Sequence, residues 1–176
     1  DEIIILDDNS TDYKTVSILN EYKTNSKIKI IQKSFKKDFS EHKNYLNSLC
    51  TGDYIFQIDA DEYPAPVLLQ DLVSILQSNP TIELFYIPRV NIVNGLTQHH
   101  IIKWGWKVDS RGYVMWPDYQ GPLYKNLSSI KWINTVHERI SGATEMTLFP
   151  PEEKYALIHI KDINRQELQN NLYESL

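Results

Sequence analysis

The chain has little of what marks specialised protein classes. Cys50 is the only cysteine in 176 residues, so no disulfide can form within the chain and a disulfide-stapled secreted scaffold is excluded. It follows Leu46 and Leu49 at helical spacing and reads as a core residue. Apolar runs are short, Ile3-Ile4-Ile5-Leu6 being typical, far below the roughly 20 residues that a bilayer-spanning helix needs. Positive charge is not in excess. Lys and Arg number 18 against 23 Asp and Glu, a net charge of −5, which argues against a nucleic-acid surface. The six glycines and eight prolines are too dispersed to mark a linker, and no segment repeats. There is no initiator Met, signal peptide or basic targeting stretch. An apolar strand begins at residue 3, so the sequence reads as a piece of a longer protein. The expected location is cytoplasmic, or peripheral at the cytoplasmic face of a membrane.

What is present is an ordinary globular composition, 41% hydrophobic and 23% charged, over a length that fits one domain with a sizeable core. Ile3 to Leu6 reads as a buried strand. The turn-prone Asp7-Asp8-Asn9-Ser10-Thr11-Asp12 closes it and supplies N-caps for a helix over about 13–22. Ile28 to Gln32 is a second strand. Ser40 is placed to cap a helix running to Cys50, with Gly52 beyond it as a stop. A strand over Tyr54 to Ile58 follows, and Pro64 and Pro66 introduce a helix to about Gln77. Strand and helix thus alternate through the first ninety residues, the pattern of a mostly parallel α/β sheet with flanking helices.

After Pro88 the texture changes. Arg89 to Val93 and Leu96 to Ile102 flank Asn94-Gly95, a strong hairpin signal. Leu123 to Lys125 and Ile130 to Trp132 read as another strand pair, and Tyr155 to Ile160 as a late strand. Asn164 to Leu176 has a helical pattern with Leu168, Leu172 and Leu176 on one face. The expectation is a single α/β domain over 1–176, layered in its 1–90 half and hairpin-rich in its 91–176 half.

Two acidic clusters carry the chemistry. Asp59-Ala60-Asp61 follows directly on the apolar run ending at Ile58. Residues two apart on a strand share a face. Asp59 and Asp61 therefore converge at a strand's carboxyl end, where ligands of open α/β sheets bind. Two hard oxygen donors there suit Mg²⁺ or Mn²⁺ held jointly with a diphosphate; a polar strand-to-loop exit has the same appearance. Asp7-Asp8 ends the early strand in the same way. With both strands parallel in one sheet, the first cluster can bond a pyrimidine base or ribose while a metal on the second neutralises the diphosphate. Turn and helix-cap chemistry accounts for Asp7-Asp8 as well.

The order and spacing of several segments resemble the nucleotide-sugar glycosyltransferases of the GT-A fold, family 2 type. They are Ile3 to Asp12, then Phe39-Ser40-Glu41-His42-Lys43-Asn44, then Gly52-Asp53-Tyr54 through Asp59-Ala60-Asp61-Glu62. Trp132-Ile133-Asn134-Thr135-Val136-His137-Glu138 looks like the tryptophan-then-His-Glu segment of one branch of that family, and His159 with Lys161 matches the same branch. The resemblance implies a GT-A sheet whose family-typical first strand is missing here. It implies a metal-dependent, inverting transfer of a sugar from a nucleotide diphosphate donor, a UDP-sugar foremost. The acceptor would be a hydroxyl of a glycan, a lipid-linked sugar or a protein. The 1–90 half would bind nucleotide and metal and the 91–176 half the acceptor.

Residue by residue, the resemblance implies that Asp8 contacts the base while Asp7 shapes the turn. Lys43 stands where the family usually has arginine, keeping the charge without the bidentate fork. Asp59 and Asp61 form the Mg²⁺ or Mn²⁺ motif with His159 completing the shell. Glu138 is the general base, and His137 orients it or touches the diphosphate. The arginine that commonly precedes the Leu123-Tyr124 pair is absent, with Lys103, Lys107 or Arg111 as candidate replacements. Plainer readings stand beside these. Glu138 can pair with Arg139 or Lys131, His159 can be a satisfied core histidine, and Trp104, Trp106 and Trp116 can fill core or stack on an acceptor sugar. A nucleotidyltransferase and a non-catalytic carbohydrate-binding domain are the competing classes.

Overall fold

Short β-branched runs separated by capped polar turns give the chain its alternation of strands and helices. The computed structural model describes residues 1–174, with side chains described through residue 170. In chain order the elements are β1 (Ile3–Asp7), α1 (Tyr13–Tyr22), β2 (Ile28–Gln32), α2 (Phe39–Asn47), β3 (Tyr54–Phe56), β4 (Glu62–Pro64), α3 (Pro66–Ser78), β5 (Leu84–Ile87) and β6 (Arg89–Asn94). They continue with α4 (Gln98–Trp104), β7 (Gln120–Lys125), β8 (Lys131–Ile133), β9 (Arg139–Ser141), β10 (Met146–Leu148), a 3₁₀ turn (Glu153–Tyr155), β11 (Leu157–Asp162) and α5 (Ile163–Glu174). The chain groups into two compact units, one from Asp1–Ile55 and Lys125–Gly142, the other from residues 56–124 and 143 onward.

In the first unit β1 and β2 pair in parallel, Ile3 opposite Ile28 through Asp7 opposite Gln32. Asp12 caps α1 by accepting from the Thr15 amide at 2.9 Å. β8 and β9 form an antiparallel hairpin, and α2 docks on β8. The Asn44 amide donates to the Trp132 carbonyl at 2.8 Å and accepts from the Trp132 N–H at 2.9 Å.

In the second unit β5 lies between β10, parallel to it, and β7, antiparallel. A separate three-stranded sheet has the order β4-β11-β6, with β11 antiparallel to β4 and parallel to β6. Its core is made of Leu68, Leu84, Phe85, Ile87, Val90, Leu123, Tyr124 and Leu157, all essentially inaccessible to solvent. Pro66 occupies the first turn of α3, where its missing N–H costs nothing.

Several sequence expectations need correction. Asp38, not Ser40, caps α2: its carboxylate accepts from the Glu41 amide and the Ser40 hydroxyl, at 2.9 and 2.8 Å, a stronger cap than a neutral hydroxyl. The helix stops at Asn47, and Leu49 and Cys50 continue in tight turns to Leu46 and Asn47. Cys50 is half-buried, and burial raises its thiol pKa. No hairpin forms at Asn94-Gly95. Gly95 turns with φ +82°, and α4 begins three residues beyond it, capped by Thr97. His100 stacks on Trp104 at 5.2 Å, a four-residue spacing that only a helix brings together. β7 and β8 do not pair with each other either. β7 pairs with β5, and the Asn126 that follows it is taken by the carbonyls of Cys50, Gly52 and Asp53. The strand expected to reach Ile58 ends at Phe56. The late helix is present, but Leu176 and the side chain of Leu172 lie outside the described residues.

Gly142 follows β9 at the open end of the β8–β9 hairpin with φ +92°, where an added Cβ would fall 1.9 Å from the Ser129 carbonyl oxygen. Gly112 has a similar φ of +87° with open space around it. Gly142→Ala is therefore expected to cost at least about 2 kcal/mol and Gly112→Ala about 1 kcal/mol. Urea denaturation of the two variants measures the gap, and equal losses would contradict this packing.

Candidate functional site

Each unit carries one of the acidic clusters, at the end of a strand or in the turn after it. In the first unit Asp7 is buried at the carboxyl end of β1. It accepts from the Ser10 hydroxyl at 2.5 Å, the Ser10 amide at 3.1 Å and the Gln32 amide group at 3.3 Å. These bonds, the Ser10 hydroxyl first, hold its carboxyl below the usual range. Asp8 is exposed, and its Oδ1 accepts from the Phe35 amide at 2.6 Å, which ties the loop after β2 to the end of β1. Phe35 in turn packs on Phe39 and His42 of α2, with centroids 4.6 and 5.5 Å away.

The same unit brings Lys43 and Glu138 together. Lys43 Nζ lies 2.8 Å from Glu138 Oε1, with both side chains mostly shielded, and 4.3 Å from the centroid of the Trp132 ring. The partner of Glu138 is thus Lys43, rather than its sequence neighbours Arg139 or Lys131. The turn that carries Glu138 is held in a left-handed backbone, with φ +76° at Asn134 and +54° at His137. Its start is fixed by the Phe39 amide, which donates to the Thr135 carbonyl at 3.0 Å. His137 is exposed.

In the second unit Asp59 and Asp61 sit in the turn between β3 and β4, closed by the Glu62 amide donating to the Asp59 carbonyl at 3.0 Å. Because β3 has already ended, strand alternation does not aim the two carboxylates, as the sequence argument supposed. Asp59 is exposed and Asp61 half-buried. What surrounds Asp61 is basic: His159 Nε2 at 3.5 Å, Lys161 Nζ at 3.8 Å and Arg165 at 3.7 Å. The hydrogen bond from His159, then the charges of His159, Lys161 and Arg165, hold the Asp61 carboxyl well below the usual range, with burial opposing. Burial lowers the Lys161 ammonium pKa, and Asp61 counters this.

His159 is buried in mid-strand, and its Nδ1 lies 2.8 Å from Asn91 Oδ1. Asn91 leads to Asp118 at 2.8 Å, Asp118 to Arg89 at 2.7 Å, and Arg89 to Glu62 at 2.8 Å. Sequence reading missed Asn91, Arg89, Asp118 and Arg165. The signal was present in part: Arg89 and Asn91, like His159 and Lys161, are polar residues two apart within apolar strands.

Whether these residues suit a divalent ion can be judged from the donor set. Asp61 and His159 offer one carboxylate and one imidazole on facing atoms, chemistry that accepts Mn²⁺ or Mg²⁺. Among the described residues, no group of three or more His, Cys, Asp or Glu side chains forms a metal cage. Two protein donors with the remaining positions left to phosphate oxygens and water is the usual arrangement for such an ion on a nucleotide. The donor set fits.

A mixed α/β fold with acidic turns after its strands is the GT-A arrangement, and comparison with solved structures places the chain in that fold. S. aureus TarS residues 1–349 matches at TM-score 0.59 and 15% identity, over 90% of this chain and 51% of that one. Its complex with UDP-GlcNAc matches at TM-score 0.61 and 16% identity, over 91% and 49%. The complex with UDP gives a TM-score of 0.60. The chain therefore spans about half the length of these TarS structures. The glycosyl transferase family 2 model matches residues 1–135, and the chain belongs to that family. No curated protein sequence matches it significantly. No helix among the described residues is long and apolar enough to cross a membrane.

Because the Asp61 carboxyl is depressed in the folded state, its contribution is fully present above the unfolded carboxylate value near 4. It is lost as pH falls through the lower folded value. Asp61→Asn should therefore flatten the acid limb, its stability changing less than that of the wild type between about pH 5 and pH 2. Urea midpoints across that range test this, and parallel curves would show that Asp61 titrates normally.

Proposed function

We propose that this chain belongs to the catalytic domain of a metal-dependent, inverting glycosyltransferase that uses a UDP-sugar. The observation that carries the reading is Asp61 facing His159, ringed by Lys161 and Arg165, in a chain of glycosyl transferase family 2. Asp61 and His159 would hold Mn²⁺ or Mg²⁺, with Asp59 beside them on the same turn. When bound, such an ion stabilises the negative charge that builds on a departing diphosphate. Lys161 and Arg165 supply positive charge at the same place, the role left open by the missing arginine before Leu123. Arg165 is long and exposed enough to swing from Asp61 to a phosphate oxygen. Asp8 would bind the base, its Oδ1 already fixing the Phe35 loop. The uridine donor is supported by the neighbour solved with UDP-GlcNAc.

Glu138 would serve as general base. The acceptor hydroxyl passes its proton to the Glu138 carboxylate as its oxygen attacks the anomeric carbon. The new bond to that carbon forms as the bond to the diphosphate oxygen breaks, and the electron pair leaves with UDP. One displacement inverts the anomeric configuration. Lys43 holds Glu138 through their 2.8 Å ion pair, and His137, next to it in the turn, would orient it or touch the diphosphate. The acceptor is a hydroxyl-bearing glycan, lipid-linked sugar or protein, and the aromatic cluster of His100, Trp104 and Trp106 offers rings on which a pyranose could stack.

Calorimetry with UDP and Mn²⁺ tests the donor site. Binding that needs both, and that Asp61→Ala abolishes, is the expected result; UDP binding indifferent to Mn²⁺ would overturn the metal role. For the base, Glu138→Gln should keep UDP affinity while transfer falls about 10²–10⁴-fold, measured as sugar released from UDP-GlcNAc to acceptor or water. Unchanged turnover would remove Glu138 from the chemistry.

A further inference from the structure

Asn91 stands directly opposite His159 in the β6–β11 register, and His159 stands opposite Glu62 in the β11–β4 register. One polar row therefore crosses the three-stranded sheet. Asn91 Nδ2 donates to Asp118 Oδ2 at 2.8 Å and to the Val114 carbonyl at 3.3 Å. Both partners only accept, so the amide cannot be turned over without setting its oxygen against a carboxylate. Its Oδ1 must then face His159 Nδ1 at 2.8 Å, and an acceptor at that distance requires that Nδ1 carry the proton. Asp118 is fixed in turn by Arg89, whose Nε and Nη2 bond it at 3.0 and 2.7 Å while Nη1 bonds Glu62 at 2.8 Å.

The other ring nitrogen is less constrained. Nε2 lies 3.5 Å from Asp61, a carboxylate that Lys161 and Arg165 also face. With Nδ1 committed to Asn91, Nε2 is the nitrogen left facing Asp61, and its contact there is the longer and more readily exchanged of the two.

We propose that Asn91 is a positioning residue that keeps the imidazole proton of His159 on Nδ1 and reserves Nε2 for a divalent cation held against Asp61. This rests on the metal reading above. Metal-ligating histidines are commonly anchored through their second nitrogen, and loss of the anchor costs about 10–100-fold in metal affinity.

The test titrates Mn²⁺, with UDP present, into the wild-type chain, Asn91→Leu and the double variant Asn91→Asp/Asp118→Asn, reading free Mn²⁺ by electron paramagnetic resonance. Asn91→Leu should bind Mn²⁺ about 10–100-fold more weakly. The double variant should recover much of the loss, because the new carboxylate accepts from Nδ1–H and the new amide donates to it. Nitrogen-15 spectra of the His159 ring in metal-free protein at alkaline pH supply a readout that a merely structural role would not move. The Nδ1 proton should be present in the wild type and the double variant, and shifted to Nε2 in Asn91→Leu. Wild-type Mn²⁺ affinity in Asn91→Leu, or a wild-type ring protonated on Nε2 alone, would overturn the proposal. If the wild type binds no Mn²⁺ with UDP, the metal reading falls, while the ring spectra still decide whether Asn91 sets the tautomer.

Discussion

A histidine buried in the middle of a three-stranded sheet must have both ring nitrogens satisfied, and the second unit is arranged around that need. Register alone sets Glu62 and Asn91 on either side of His159. Neither could remain there unpaired, because a buried polar group without a partner costs about 1–3 kcal/mol. Each is answered by a further residue, Asp118 for Asn91 and Arg89 for both Asp118 and Glu62. Among the described residues no buried side-chain polar atom lacks a hydrogen bond. The outcome is a continuous chain from His159 through Asn91, Asp118 and Arg89 to Glu62, in which each of the three inner side chains bonds two neighbours. A rigid backing of this kind lets a single carboxylate, Asp61, sit at a defined place on an otherwise irregular turn.

The first unit solves a different problem by a similar route. Glu138 is carried on a turn with two left-handed residues, which has little intrinsic order. Three bonds to α2 constrain it: the Phe39 amide to Thr135, and both hydrogen bonds of Asn44 to the Trp132 backbone. Asn44 replaces a strand neighbour for β8, satisfying one N–H and one C=O as an adjoining strand would. Lys43, the residue before it, is thereby delivered to Glu138 and to the face of Trp132. A lysine suffices there, since a point charge over an aromatic ring and against one carboxylate oxygen needs no planar fork.

Where local chemistry decided the outcome, the sequence was legible. α1 and β2 fall where the Asp12 cap and the isoleucine run place them, and α3 starts at Pro66. The acidic clusters and the family followed from motif order. Long-range competition hid the rest. Asn94-Gly95 is a good hairpin turn, yet His100, Trp104 and the Thr97 cap favour a helix just beyond it. Leu123 to Lys125 found a better partner in β5 than in the segment after Asn126. Of the neighbours of Asp61, the family resemblance named His159; Arg165 and the ion-pairing role of Lys161 were hidden for the same reason. His159, Lys161 and Arg165 lie about a hundred residues away in sequence, and nothing local announces that β11 pairs beside β4. Polar residues at alternate positions of β6 and β11 were the trace readable without the resemblance.

Under the proposed function, charge explains why a carboxylate that would hold a metal is found among basic side chains. An isolated Asp61, half-buried, would be driven toward its protonated form. Lys161, Arg165 and His159 prevent this and keep it ionised across the neutral range. A divalent ion arriving alone would meet Asp61 and Asp59 but also those cations, and would be only weakly attracted. A diphosphate arriving alone would meet Lys161 and Arg165 but also two carboxylates. Arriving together, each would have a complement: Asp61 and the His159 imidazole would hold the ion, and Lys161 and Arg165 would supply positive charge to the phosphate oxygens. Under the proposed function, these opposed charges would leave neither the ion nor the diphosphate well held without the other.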